Sequence, residues 1–398
     1  MSGRELYRQT VAEIDLGRLR ANCRQLRSLV APRAFFCPMI KANAYGHGAT
    51  ECARALRLEG ASHLGVALIE EGLELRDSKD DGEILVFGSF QGEACAAALI
   101  RRRLTPVLSE RGQLEALVAA AAKAGQTSTR IKLHLKFNTG MNRLGFAVSE
   151  ASALRAWLQA HPQFELEGVC THLLRGDDAG SATGDTHSQL LEFGRALEAF
   201  RGLEARVHAL NSGAVAALRI REFGVSGVGP LGARPGIAIY GAQPASLPEL
   251  AVPLEAVMKL RSRLVMVNRI ATGEKVSYNG TWTSKRESVI GVVGAGYADG
   301  YRRSLSNRGS VLCRGRRVPV VGTVCMDYFM VDVTDVARDT ASTPAGDLAP
   351  GEEVVLIGEQ GNCRVTAEEL AEAAGTISYE IFTGIGSRVP RQFVGAER

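Results

Sequence analysis

Between residues 35 and 234 the sequence repeats one unit eight times, a short apolar run followed by a longer amphipathic stretch. The apolar runs fall at 35–41, 63–67, 84–88, 104–108, 131–136, 166–172, 207–211 and 226–234. The intervening stretches, such as 110–123 and 151–159, are rich in Ala, Leu, Glu and Arg. Alternation of this kind predicts parallel strands joined by crossover helices, and eight units in about 200 residues suit a (β/α)8 barrel. A doubly wound open sheet shares the alternation, so the count alone leaves both open.

Past residue 242 the texture changes. Residues 243–253 carry three prolines and read as a linker. Beyond it, β-branched runs at 264–270, 289–293, 317–321, 329–333 and 354–357 predict a mainly β second domain. One helix is expected at 367–374, where Thr366 and Glu369 fit a capping box. The expected domains are 1–242 and 253–398, with the first 10–15 residues free to join the β domain.

No apolar run approaches the ~20 residues of a membrane span. The N-terminus lacks the apolar stretch of a signal peptide. The net charge of +4 is spread along the chain, and clusters such as 101–103 and 314–317 lack interleaved aromatics, which argues against a nucleic-acid track. None of the eight cysteines lies in a CxxC pair, so neither a zinc site nor a disulfide framework is expected. These features together predict a cytoplasmic protein with reduced thiols.

In a barrel, reactive groups belong at the C-terminal ends of the strands. Lys41 closes the apolar run 35–40, and an amine at the end of a buried strand tends to lose its proton, as attack on an aldehyde requires. Taken alone, such a lysine more often snorkels to solvent. The seventh and eighth runs end in Asn211-Ser212-Gly213 and Arg234-Pro235-Gly236-Ile237. Barrels often bind phosphate in these two loops, and a hydroxyl beside glycines suits an anion, although Asn-Ser-Gly by itself is simply a turn. A lysine on strand one and a phosphate site on strands seven and eight together fit pyridoxal phosphate. On the fifth run Lys132, His134 and Lys136 alternate with apolar residues, so the three share one face, which looks into the barrel. Lys132 and His134 are expected low in the barrel with ordinary hydrogen-bond partners.

With these segments placed, the sequence resembles the alanine racemase family, the fold-type III pyridoxal-phosphate enzymes. The resemblance runs in register from Thr10 to Gln392. It includes IKANAYGHG (40–48), HLKFNTGMNRLG (134–145), RPGIAIYG (234–241), VSY (276–278), GYADG (296–300), CMD (325–327), GTISYE (375–380) and RVPR (388–391). It implies a TIM-type barrel followed by a β domain, and a racemase of alanine. Lys41 would hold the cofactor covalently and act as one base, with Tyr278 as the other. Tyr45, Asn211, Ser212, Gly236, Ile237 and Tyr379 would lie at the phosphate end, His172 beside the pyridine ring, and Arg234 at the pyridine nitrogen. Arg143 and the backbone N–H of Met326 would bind the substrate carboxylate. Lys136 is similar to the lysine that family members carry as a carbamate, and Tyr297 and Asp327 match residues near the site mouth. The resemblance also implies a homodimer in which Tyr278 of one subunit completes the barrel site of the other, with no metal, nucleic-acid or membrane partner.

Inversion at a carbon needs one group to remove a proton from one face and another to return it to the opposite face, which is the reason for two bases. A phenol is a weak acid, so Tyr278 needs nearby positive charge to act near neutral pH. An arginine at the ring nitrogen donates a hydrogen bond without giving up its proton, which weakens the electron sink and suppresses side reactions such as transamination. Four places depart from the family pattern. Asn138 stands where Asp is common, Thr323 replaces an arginine common at the entrance, Asn279 stands where Gly is frequent, and LLRGDD (173–178) replaces a Phe/Ala-rich continuation. Three of the four are expected to touch the entrance or the side-chain pocket, so a broader racemase acting on serine or other amino acids is the alternative. A basic-amino-acid decarboxylase of the same architecture would lack Tyr278 and Arg234, and a non-catalytic cofactor carrier would lack the second domain.

Overall fold

The computed structural model describes residues 7, 9–125, 130–176, 183–216, 230–244, 252–340 and 347–395. The chain divides into two compact units. Leu19–Ala44 with Ala49–Glu255 form one, and Met1–Arg18, Tyr45–Gly48 and Ala256–Arg398 form the other.

The first unit is the barrel. Its strands, numbered from β2 because Val11–Asp15 (β1) belongs to the second unit, are His63–Val66 (β2), Glu83–Val86 (β3), Thr105–Leu108 (β4), Ile131–Asn138 (β5), Phe164–Cys170 (β6), Arg206–Leu210 (β7) and Gly232–Ala233 (β8). Each pairs in parallel with the next. Both β2 and β4 are buried at every residue, as expected of parallel strands covered on both faces. The helices Arg111–Ala124 and Ala151–Ala160 lie where the amphipathic stretches predict them.

The segment 35–40 takes the place of the first strand, but it is not a regular one. Pro38 removes a backbone donor from its middle, and the segment makes only isolated parallel bridges, Phe36 with Ala233 and Met39 with Gly65. Those bridges nevertheless tie it to both edges of the sheet. Cys37 N donates to Ala233 O at 2.9 Å and Ile40 N to Gly65 O at 2.8 Å, which closes the barrel. The buried Tyr240 hydroxyl donates to Met39 O at 2.9 Å and fixes the segment from the side. Residues 226–229 of the eighth predicted run, 226–234, lie outside the described residues, and β8 falls within the described part, 230–234.

The second unit is built on a mixed sheet. Its long strand Met258–Ile270 (β9) pairs antiparallel with Ser288–Val293 (β10) and Glu353–Gln360, and with β1 at the other end. The edge strand Arg391–Val394 runs parallel to β1. The strands Arg316–Pro319 and Phe329–Asp332 match predicted runs, whereas Ser310–Cys313 is an additional strand pairing with the former. Helix Ala367–Ala374 carries the predicted capping box: Glu369 N donates to Thr366 Oγ1 at 3.1 Å and Thr366 N to Glu369 Oε2 at 3.2 Å.

Candidate functional site

Lys41 leaves the closing segment 35–40 and opens a one-turn helix, Lys41–Tyr45, of the wrong hand. Ala42, Asn43, Ala44 and Tyr45 all have φ between 52° and 54°. L-residues adopt this region at a cost, so the surroundings must hold the turn in place. Within the barrel unit they do so directly. Glu71 accepts from Ala42 N at 2.6 Å and from Ala67 N at 2.7 Å, while Asn43 Oδ1 accepts from Ala49 N at 2.7 Å. Burial, reinforced by the charge of Arg143, pulls the Lys41 amine below its ordinary pKa, with Glu71 opposing. This favours the neutral, nucleophilic form.

Lys136 is buried near the end of β5. Burial pulls its amine down to about 8; Cys170 opposes this, while Arg234, Arg143 and Lys41 add repulsion. His172 follows β6, and burial together with Arg234, Lys136, Arg143 and Lys41 holds it well below its usual pKa. Arg234, also buried, donates to Thr171 O at 2.7 Å, to His208 Nδ1 at 2.7 Å and to His172 Nδ1 at 3.2 Å. Arginine offers only donors, so both imidazoles accept and each is neutral at that nitrogen. Lys41, Lys136, Arg143 and Arg234 therefore share one electrostatic neighbourhood, a setting that suits a multiply anionic ligand.

Arg143 itself is exposed, on a loop shaped by Asn138. The Asn138 amide accepts from Asn142 N at 2.9 Å and Gly140 N at 3.2 Å, and donates to Asn142 Oδ1 at 2.9 Å. The donation needs an amide, so an aspartate here could not make the third bond. After β7, Ser212 Oγ accepts from Gly236 N at 2.7 Å and from Ala238 N at 3.4 Å. Asn211 Oδ1 accepts from Ala214 N at 3.0 Å, and its amide donates to Leu173 O at 3.3 Å. Ile237, fully buried, begins the turn that follows Gly236. The two turns thus bring a hydroxyl and backbone N–H groups together, the kind of groups that suit an anion. In the departure 173–178, Leu173 is buried and Leu174 exposed, while Asp177 and Asp178 lie outside the described residues.

The remaining candidates lie in the second unit. The Tyr45 and Tyr379 rings stand 6.1 Å apart, and burial pushes the Tyr379 hydroxyl up to about 12, so it remains a donor. Gly46, with φ +84°, lies so close to Phe382 O that a Cβ would fall 2.3 Å from it, which restricts this position to glycine. Tyr278 is 69% exposed, on a backbone that is held firmly. Thr323 Oγ1 donates to Tyr278 O at 3.0 Å, and Ser277 Oγ donates to Thr323 O at 2.6 Å. The arginine-to-threonine departure at 323 therefore supplies a clamp on the Tyr278 loop. Asn279 takes φ 61°, a conformation Asn tolerates and Gly prefers, which accounts for the fourth departure. Tyr297 N donates to Cys325 O at 3.0 Å and Ala298 N to Met326 O at 3.0 Å, which joins GYADG to CMD. Met326 is exposed, and Asp327 accepts from Arg388 at 2.7 Å.

Lys132 and His134 do find ordinary partners low in the barrel. Lys132 meets Glu83 at 2.6 Å and His134 meets Glu167 at 3.2 Å. Glu167, His63 and His208 escaped the sequence reading. The available signal was a polar residue at the inward position of three otherwise apolar runs.

Two family profiles match, together covering most of the chain: "Alanine racemase, N-terminal domain" over residues 14–244 and "Alanine racemase, C-terminal domain" over 257–393. A curated alanine racemase from Sorangium cellulosum is 41% identical over 395 residues, spanning 96% of this chain and 98% of the relative. Among solved structures, alanine racemase from D-cycloserine-producing Streptomyces lavendulae superposes with a TM-score of 0.86 at 35% identity, over 99% of both chains. Alanine racemase from Bartonella henselae, described with covalently bound pyridoxal phosphate, superposes with a TM-score of 0.82 at 29% identity, over 97% of this chain and 99% of that one.

Proposed function

This chain belongs to the alanine racemase family, and from that premise we propose that it interconverts L- and D-alanine with pyridoxal 5'-phosphate as cofactor. The observation that carries the reading is the lowered amine of Lys41 at the barrel mouth, in the shared field of Lys136, Arg143 and Arg234. An amine without its proton attacks an aldehyde, and the surrounding cations compensate the charge of a phosphate and a substrate carboxylate.

The residues present fit the cofactor. Ser212, Gly236 and Ile237 would hold the phosphate, with Asn211 shaping the loop and Tyr45 and Tyr379 adding hydroxyl donors. His172 would lie against the ring, and Arg234 would donate to the ring nitrogen while keeping its own proton. When bound, pyridoxal phosphate supplies an electron sink for the substrate's α-carbon and so acidifies its proton. Lys41 Nζ would remove or return that proton on one face. The Tyr278 hydroxyl would do so on the other, each acting as acid or base according to direction. Arg143 and the backbone N–H of Met326 would hold the substrate carboxylate, with Tyr297 and Asp327 near the entrance.

Lys136, with its pKa near 8, is suited to carbamylation. Its neutral amine would attack carbon dioxide, form an N–C bond and release a proton to solvent. The resulting anion would orient Arg143 and relieve the crowding of cations. Tyr278, exposed on a clamped loop, would serve the barrel of a second copy in a homodimer of a bacterial, cytoplasmic enzyme that supplies D-alanine. In this reading the barrel spans 1–242 and the β domain 253–398.

Purified protein with added cofactor is expected to interconvert L- and D-alanine and to show the visible absorbance of lysine-bound cofactor. Lys41→Ala is expected to lose both the absorbance and at least about 1,000-fold in activity, as removal of a covalent catalyst does. Retention of both would refute the assignment.

A further inference from the structure

We propose that Glu167 is a positioning residue for Arg234, acting from the far end of a one-way hydrogen-bond chain, Arg234–His208–His134–Glu167, through the barrel interior. The inference rests on the reading of Arg234 as the donor to the cofactor's ring nitrogen, and it assigns that site a support that begins on β6.

The chain's direction follows from chemistry at its two ends. Arg234 has no lone pair to offer, so His208 Nδ1, 2.7 Å away, must accept. A neutral imidazole that accepts at Nδ1 carries its proton on Nε2, and His208 Nε2 lies 2.8 Å from His134 Nδ1. His134 therefore accepts there and carries its own proton on Nε2, which points at Glu167 Oε2 across 3.2 Å. A carboxylate can only accept. Arg234 requires an acceptor at one end and Glu167 requires a donor at the other, and only one tautomer of each histidine satisfies both.

The surroundings keep both histidines neutral and the carboxylate charged. His134 and His208 have no solvent exposure. Burial holds His208 well below its usual pKa, and burial lowers His134 as well, against the pull of Glu167. Burial works against ionisation of Glu167, but its bonds from His134 and His63 hold it well below the usual carboxylate range. Lys132 at 3.5 Å and Arg206 at 3.8 Å also face it. His63 Nε2 reaches the second oxygen, Oε1, at 3.3 Å, so both carboxylate oxygens are engaged and the group cannot swing. The local packing is built around this chain. A Cβ on Gly168 would lie 2.3 Å from His134 Nδ1, so glycine at that position gives the imidazole its room. The Phe35 ring seats against His208 at 4.6 Å and His63 at 4.9 Å.

Without the carboxylate, His134 could carry its proton on Nδ1. That tautomer would turn an N–H of His208 toward Arg234 and cost the guanidinium an acceptor. Positioning of this kind affects turnover more than substrate binding.

The test uses the holoenzyme with 15N-labelled histidine, assigned through single His→Gln variants. His134 and His208 are expected as neutral rings protonated on Nε2, unchanged from about pH 6 to about pH 9, where a free histidine would titrate. A ring protonated on Nδ1, or an imidazolium, at either position overturns the chain. In parallel, Glu167→Leu is expected to lower kcat for alanine roughly tenfold, with KM within about twofold and an altered cofactor absorbance. Glu167→Gln keeps an acceptor oxygen and is expected to restore most of kcat. Wild-type kcat and absorbance in Glu167→Leu, or a Gln variant as impaired as Leu, overturns the proposal. Should Glu167→Leu fail to fold, the tautomers of the wild-type protein and the Gln variant still decide. A protein with the expected tautomers that does not racemise alanine would sink the functional reading and leave the chain standing. An active racemase with scrambled tautomers would do the reverse.

Discussion

Lys136 shows how much of this site is decided by the environment of a single side chain. The residue is 7% exposed, and burial among like charges brings its pKa from 10.5 to about 8. Carbamylation needs the neutral amine, so a depressed pKa brings the reaction into the physiological range. The sign is definite: at fixed dissolved carbon dioxide, the carbamate should grow as pH rises through about 8, since the neutral fraction grows there. With 13C-enriched bicarbonate, a carbamate carbon signal is expected at about pH 8.5, weaker at about pH 6.5, and absent in Lys136→Ala. Absence of the signal in the wild-type protein at the higher pH would show that crowding on β5 is relieved in another way. The position was visible in the sequence because 132, 134 and 136 alternate. What could not be seen was that Lys132 pairs with Glu83 and His134 hydrogen-bonds to Glu167, which leaves Lys136 as the member of the three facing Arg234 and Lys41.

At the scale of elements, local rules specify some pieces and tertiary contacts specify others. The helix Ala367–Ala374 is of the first kind, with a capping box at one end and Gly375 in the left-handed conformation at the other. Thr366→Ala should destabilise the protein by about 1 kcal/mol, the usual worth of an N-cap side chain. Urea denaturation would measure it, and an unchanged midpoint would show that packing alone holds this helix. The segment 35–40 and the turn after it are of the second kind. The apolar run was legible, but Pro38 reduces the strand to bridges, and no propensity rule predicts four successive left-handed residues at 42–45. That turn is held by Glu71, 29 positions away, which binds the backbone of Ala42, and by the Asn43 side chain, which ties the turn to Ala49 N beyond it. The chain from Arg234 to Glu167 was hidden for a similar reason. Its members come from three strands and the loop after β8, and the pairing of β5 and β7 on either side of β6 brings His134 within 2.8 Å of His208.

For the whole molecule, the change of texture near residue 242 was readable because a proline-rich stretch separates alternating strand–helix units from β-branched runs. The sequence leaves the first 10–15 residues free to join the β domain, but the strand Val11–Asp15 itself is not among the predicted runs, since its partners β9 and Arg391–Val394 lie far along the chain. The candidate residues fall into both units, with Lys41, Arg143 and Arg234 in one and Tyr45, Tyr278 and Tyr379 in the other. In the proposed function, Lys41 and Tyr278 would serve one reaction from two different subunits. Mixing tests this most directly. Lys41→Ala and Tyr278→Ala are each expected to be nearly inactive alone. After the two proteins are dissociated and reassembled together, about a quarter of wild-type alanine racemisation should return, because half of a random mixture is mixed dimers and each has one intact site of two. A reassembled mixture as inactive as its parents, with mixed dimers demonstrably present, would contradict the account.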